Sequence, residues 1–167
     1  MFQINDTVLY GAEGVFKIIE ITVMDFAGDK KEYYVLKSLY NENSTVYVPT
    51  DKETLLAKMR KILSKEEIYE MIRNMPDEEL IWIEDEGERM QAYKEILMKG
   101  DHRKIVRLIR TLYLHGQQLK EIGKNLHKVD ERFLKDAERI LYDEFAYVLN
   151  IKPNQVLPFI QEQIELD

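Results

Sequence analysis

Cysteine is missing altogether from the 167 residues. Its absence excludes a disulfide scaffold, a thiolate nucleophile and any Cys-ligated zinc, and it fits a reducing compartment. Glycine (7) and proline (4) are scarce while hydrophobic residues reach 45 %, a balance that belongs to a folded chain and not to a disordered one. No apolar run approaches the roughly 20 residues of a membrane span. The opening MFQINDTVLYGAEG has no basic region followed by an apolar stretch, so no signal peptide is expected. A cytoplasmic protein with no membrane partner is the expectation.

Charge is plentiful but uneven. The net value of −7 argues against indiscriminate nucleic-acid binding. Residues 99–139, however, hold eleven bases and six acids, a local +5 that leaves −12 for the remainder. That window reads either as solvated helix faces or as an anion-binding surface on an acidic protein.

The hydrophobic period changes near the middle. Residues 7–10, 15–23, 32–37 and 44–48 are rich in β-branched and aromatic types and are separated by Gly11-Ala12-Glu13-Gly14, Ala27-Gly28-Asp29 and Pro49. Short strands at this spacing predict a small barrel or strongly bent sheet over residues 1–60. From Ser64 a helical period takes over. Ser64-Lys65-Glu66-Glu67 has capping-box form, and Ile68, Met71, Ile72 and Met75 mark one face. A second helix is expected from about Asp77 to Lys99, broken near Gly87. Gly100-Asp101 predicts a stop and restart, and Ile105, Leu108, Ile109 and Leu112 stripe the third helix. Residues 116–129 are expected to form a loop, Asp130 to cap a long helix, and Pro153 to open a last short one. The predicted architecture is α+β: a small β-barrel, then an all-α bundle of about five helices over residues 64–167.

Catalytic signatures are wanting. His102, His115 and His127 lack ligand spacing, and the acidic run Glu84, Asp85, Glu86 and Glu88 has no partner signature for two metals. No phosphate loop or nucleophile elbow occurs. The expectation is a non-enzyme without metal or cofactor.

Several dispersed residues resemble the CarD/CdnL family of bacterial RNA-polymerase-binding regulators. In the first half they are Phe2-x-Ile4-x-Asp6-x-Val8-x-Tyr10, Gly14-Val15, Glu32-Tyr33-Tyr34-Val35-Leu36, Thr45-Val46-x-Val48-Pro49 and Arg60. In the second half they are Trp82, Arg89, Gly100-Asp101, Val106-x-Leu108-Ile109-Arg110-x-Leu112 and Ala137-Glu138-x-x-Leu141-x-x-Glu144-x-Ala146. The resemblance spans nearly the whole chain. It implies a Tudor-like (SH3-like) barrel, related to a module of transcription-repair coupling factor, that adds its sheet edge to the polymerase β subunit. Met24, Lys37, Val46, Tyr47 and Val48 are the implied polymerase-binding residues. The alternative is that Val46 and Val48 face the core and Tyr47 is an ordinary strand tyrosine. Gly11 and Glu13 stand where family members often have proline and histidine, and Met24 and Tyr47 where basic residues are commoner.

For the helical half the resemblance implies contact with promoter DNA at the upstream edge of the melted region. Trp82 is the implied wedge, lying about one turn earlier than in the commoner pattern, and a core role for it is the alternative. Arg89, Lys94, Arg103, Lys104, Lys128, Arg132 and Lys135 are the candidates for holding phosphates. A monomer that stabilises the open complex is expected. The competing reading is a protein–protein adaptor on polymerase that never touches DNA.

Overall fold

The computed structural model describes residues 2–165. Five antiparallel strands, β1 (Thr7–Tyr10), β2 (Val15–Phe26), β3 (Asp29–Ser38), β4 (Thr45–Pro49) and β5 (Met59–Lys61), form one sheet in the order β4-β3-β2-β1-β5. A one-turn helix, α1 (Glu53–Leu56), links β4 to β5. Neither α1 nor β5 is signalled by local sequence; β5 is short and has only Met59 buried. The helical half comprises α2 (Lys65–Asn74), α3 (Glu86–Lys99), α4 (His102–Glu121), α5 (Lys128–Leu149) and α6 (Pro153–Glu165). The protein is thus an α+β fold with a five-stranded sheet followed by five principal helices.

Strand pairing follows from turn chemistry and alternation. Ala27 and Gly28 take φ of 53° and 83°, the left-handed pair that a two-residue hairpin needs to match strand twist. Gly11 sits at φ +51°, in the left-handed region that glycine favours and proline's ring forbids. Val8, Tyr10, Phe16, Ile18, Tyr34, Leu36, Val48 and Met59 fill one face of the sheet. Each fully buried aliphatic side chain there contributes roughly 1.5–3 kcal/mol.

Leu9 and Val15 point the other way and join the helical core with Ile68, Tyr93, Ile105, Leu108, Ile140 and Phe145. The two halves therefore share packing at β1. Gly100 lets Leu9 approach: a Cβ there would lie 3.1 Å from the Leu9 side chain. Arg60 Nε donates to the Lys99 carbonyl, Arg139 donates to the Ala12 carbonyl at 3.1 Å, and the Thr7 hydroxyl donates to Tyr147 Oη at 3.0 Å. This seam holds the β1 side of the sheet against the bundle and leaves β4 at the opposite edge.

The helix starts follow their caps. Ser64 accepts from the Glu67 amide while the Glu67 carboxylate accepts from the Ser64 amide, the reciprocal pair expected. Asp101 accepts from the Lys104 amide after Gly100 turns left-handed. Three expectations fail. The helix anticipated from Asp77 begins only at Glu86. Pro76 lies in a short 3-10 turn, Met75–Asp77, and residues 78–85 are non-helical, with extended backbone at Glu78 and Asp85. The consecutive Ile81-Trp82-Ile83 favour a non-helical backbone, and Thr111 Oγ1 accepts from the Ile81 amide at 2.9 Å. Residues 116–121 are helix, not loop, with Leu126 folded back beside Gly116 on α4; only residues 122–127 are non-helical. Asp130 does not cap α5. His127 occupies that position, and Asp130 is buried for another purpose.

Burial on the bundle's far side makes one pH effect testable. Desolvation raises the Glu138 carboxyl above its ordinary value, so the folded state binds this proton more tightly than the unfolded state does. Its stabilising contribution is full below the ordinary value and is lost as pH rises through the folded value. Glu138→Gln is therefore expected to melt about 1–2 °C higher than wild type at pH 7, and thermal melts below about pH 4 should coincide.

Candidate functional site

β4 is an edge strand, and its unpaired side can be read from the register. Ser38 donates to the Ser44 carbonyl and Thr50 to the Glu32 carbonyl, both at 3.0 Å. Because hydrogen-bonded pairs alternate in an antiparallel ladder, Val46 and Val48 turn their backbone groups to β3. Thr45, Tyr47 and Pro49 turn theirs outward. Pro49 has no N–H to lose, so it sits on the free side at no cost and stops a further strand from extending past it.

The side chains divide by the same parity. Val48 is buried and Val46 packs against the sheet core, so these two supply backbone and packing but no contact surface. Tyr47 is 45 % exposed on the outer face. Register places Met24, paired with Lys31, and Lys37, paired with Thr45, on that same face. Phe26 and Tyr33 complete it. Their rings meet edge to face at 5.3 Å, and Phe26 lies 6.2 Å from Tyr47. Neither residue is among the sequence candidates, although the period-two pattern that selects Met24 also selects both.

On the helical side Trp82 packs against His115 and Arg89. The His115 ring stacks on it at 3.8 Å and 25°, and the Arg89 guanidinium lies 4.3 Å from its centroid. Its Nε1–H donates to Glu84 at 3.1 Å. Arg89 donates through Nε and Nη2 to both oxygens of Asp130, at 2.9 and 3.0 Å, and through Nη1 to the Ile83 carbonyl. The acidic neighbours have local work: Glu84 takes the indole proton and Asp85 caps α3 by accepting from Glu88.

Residues 2–63 match the family model of the CarD-like/TRCF RID domain, and residues 67–161 match that of the CarD C-terminal domain. The chain belongs to the CarD-like family. It is 25 % identical over 162 residues to “Putative transcription factor YdeB” of Bacillus subtilis (strain 168), an alignment covering 95 % of this chain and 99 % of that one. Membership makes this CarD-like protein a transcription regulator that works on the transcription machinery, with a Tudor-like sheet and a helical C-terminal region. Among the described residues no helix is long and apolar enough to cross a membrane.

The CarD-like protein does not gather its candidate cations into one patch. Lys128, Arg132 and Lys135 are exposed at i, i+4 and i+7 of α5 and form one stripe, with Lys135 paired to Glu131 at 3.2 Å. Arg103 and Lys104 lie at the other end of α4 from His115, roughly 16–18 Å along its axis at about 1.5 Å per residue. Arg103 is exposed but paired with Glu78 at 3.0 Å, as is Arg107 at 2.7 Å. Burial works to raise the Glu78 carboxyl, but hydrogen bonds from Arg107 and Arg103 outweigh it and hold it below the ordinary range. Lys94 is exposed on α3. Arg89 must be withdrawn from the phosphate candidates. Its side chain is 4 % exposed, and Asp130, the ring of Trp82 and two carbonyls use its surface.

Proposed function

We propose that this protein regulates transcription initiation by lending the β4 edge to the RNA polymerase β subunit and resting its helical half on promoter DNA. The free edge is the observation that carries the reading. Backbone groups at Thr45 and Tyr47 set the register of an added strand, and Met24, Lys37, Tyr47 and the adjoining Phe26 and Tyr33 select its side chains. Residues 1–60 serve as the polymerase-binding unit and residues 64–167 as the DNA-contacting unit, in a cytoplasmic monomer needing no cofactor or metal.

The Lys128, Arg132 and Lys135 stripe, with Lys94, holds phosphates near the upstream edge of the melted region, and Lys104 and Arg103 extend the contact. Trp82 meets DNA by the part of its ring that His115 and Arg89 leave free. The net charge of −7 keeps free DNA binding weak, so polymerase delivers the protein by raising its local concentration. A preference of about 1–1.5 kcal/mol for the open over the closed complex shifts that equilibrium roughly tenfold.

Co-purification with polymerase and open-complex lifetime test the two arms separately. Tyr47→Glu is expected to weaken polymerase capture about tenfold, whereas Arg132→Glu should leave capture intact and shorten the open complex about threefold at low salt. A pure adaptor on polymerase is the second reading, favoured by the packing of the indole against His115 and Arg89. It predicts an unchanged lifetime for Arg132→Glu and no new DNA protection in footprints.

A further inference from the structure

The non-helical stretch of residues 78–85 borders, together with α3 and α4, an open hollow of about 290 Å³ that shares no residue with the β4 edge or the α5 stripe. Ile81 and Ile83 line it from that stretch, Ala92 and Ile96 from α3. Beneath them Tyr93 is fully buried, with its hydroxyl fixed by donation to the Ile81 carbonyl at 3.1 Å. Lys99 at the end of α3 and Lys104 and Arg107, one turn apart on α4, stand around it; Glu95 is the single acid in the lining. Arg107 Nε is engaged by Glu78, but among the described residues neither Lys99 nor Lys104 has a carboxylate within ion-pair distance.

An apolar slot bordered by uncommitted cations suits a flat apolar group that carries an anion. The volume is at the bottom of the roughly 300–1,000 Å³ range of small-molecule pockets, so it suits one ring system and not a long chain. Cations along the backbone with apolar walls for a base removed from its stack are the means by which proteins hold single-stranded nucleic acid. We propose that the slot takes one unstacked nucleotide, its base among Ile81, Ile83, Ala92 and Ile96 and its phosphate on Lys99, Lys104 and Arg107. The inference rests on the reading that the helical half meets melted promoter DNA, where unpaired bases are on offer.

Full-length protein with 13C-labelled isoleucine methyls, titrated with octathymidylate, tests it. Saturable shifts are expected at Ile81, Ile83 and Ile96. Ala92→Leu, which fills the slot, should weaken binding about tenfold, and the surface pair Lys99→Gln with Lys104→Gln about fivefold without touching the core. A second titration uses thymidine 5′-monophosphate. Equal shifts from the monophosphate, with nothing added by the oligonucleotide, uphold the slot and assign it to a free nucleotide. Oligonucleotide binding that leaves the three methyls unmoved, or that Ala92→Leu does not affect, overturns the slot. Footprints of polymerase–promoter complexes separate the two readings. Protection that survives with methyls unmoved sinks the slot alone, and methyl shifts without any promoter protection sink the promoter reading alone.

Discussion

Asp130→Ala is expected to cost about 3–5 kcal/mol of folding stability, because it strands a buried guanidinium without its carboxylate. Asp130 and Arg89 are 3 % and 4 % exposed, so water cannot take over the lost contact. The loss is a large fraction of the 5–15 kcal/mol that typically holds a domain together. It should also be visible locally. Arg89 lies against the indole of Trp82, so fluorescence of this single tryptophan should shift to longer wavelength before global unfolding in urea. Replacing both partners by leucine should recover part of the stability, since an apolar pair leaves no orphaned charge. Arg89→Lys should not recover it, because an ammonium cannot satisfy both Asp130 oxygens and the Ile83 carbonyl together. If Asp130→Ala melted within about 1 °C of wild type, the pair would be ornamental and the Trp82 contact would need another anchor.

The second large effect is expected at Glu144, which is fully buried on α5. Its carboxylate accepts from His102 Nε2, which lies 2.6 and 2.7 Å from the two oxygens, and from the Leu63 amide at 2.8 Å. It thereby ties the connection between sheet and bundle to the first turn of α4. Glu144→Ala leaves two donors without an acceptor, at roughly 1–3 kcal/mol each, and a total loss of about 3 kcal/mol is expected by urea denaturation. Hydrogen exchange makes the assignment specific: the Leu63 amide should lose protection more than the amides of β2 do. Loss of stability with Leu63 protection unchanged would reduce Glu144 to a packing residue.

Local pattern was informative wherever an element satisfies itself. The capping box at Ser64, the Gly100-Asp101 corner and the Ala27-Gly28 hairpin all depend on neighbours within four residues, and all were legible. The α3 start was not, because Thr111, thirty residues away, holds the non-helical stretch before it. The α4 extension was hidden for a similar reason: a polar stretch with a glycine looks like a loop until Leu126, ten residues on, is seen to fold back beside that glycine. Arg89 is the instructive case among the candidate contacts. An arginine in the helical half reads as a phosphate ligand, and nothing near it in sequence reveals that Asp130 will reach it across the bundle.

The chain's own pattern determined the α+β class, the switch from strands to helices after residue 60, and the existence of an aromatic, β-branched fourth strand. Those are consequences of side-chain period and cap chemistry, which act over a few residues. Only the tertiary structure decided which backbone groups of that strand stay unpaired, which cations keep their charge free, and that the indole packs against His115 and Arg89. Such outcomes depend on distances between residues far apart in the chain, and on whether a charge finds a buried partner before it finds water.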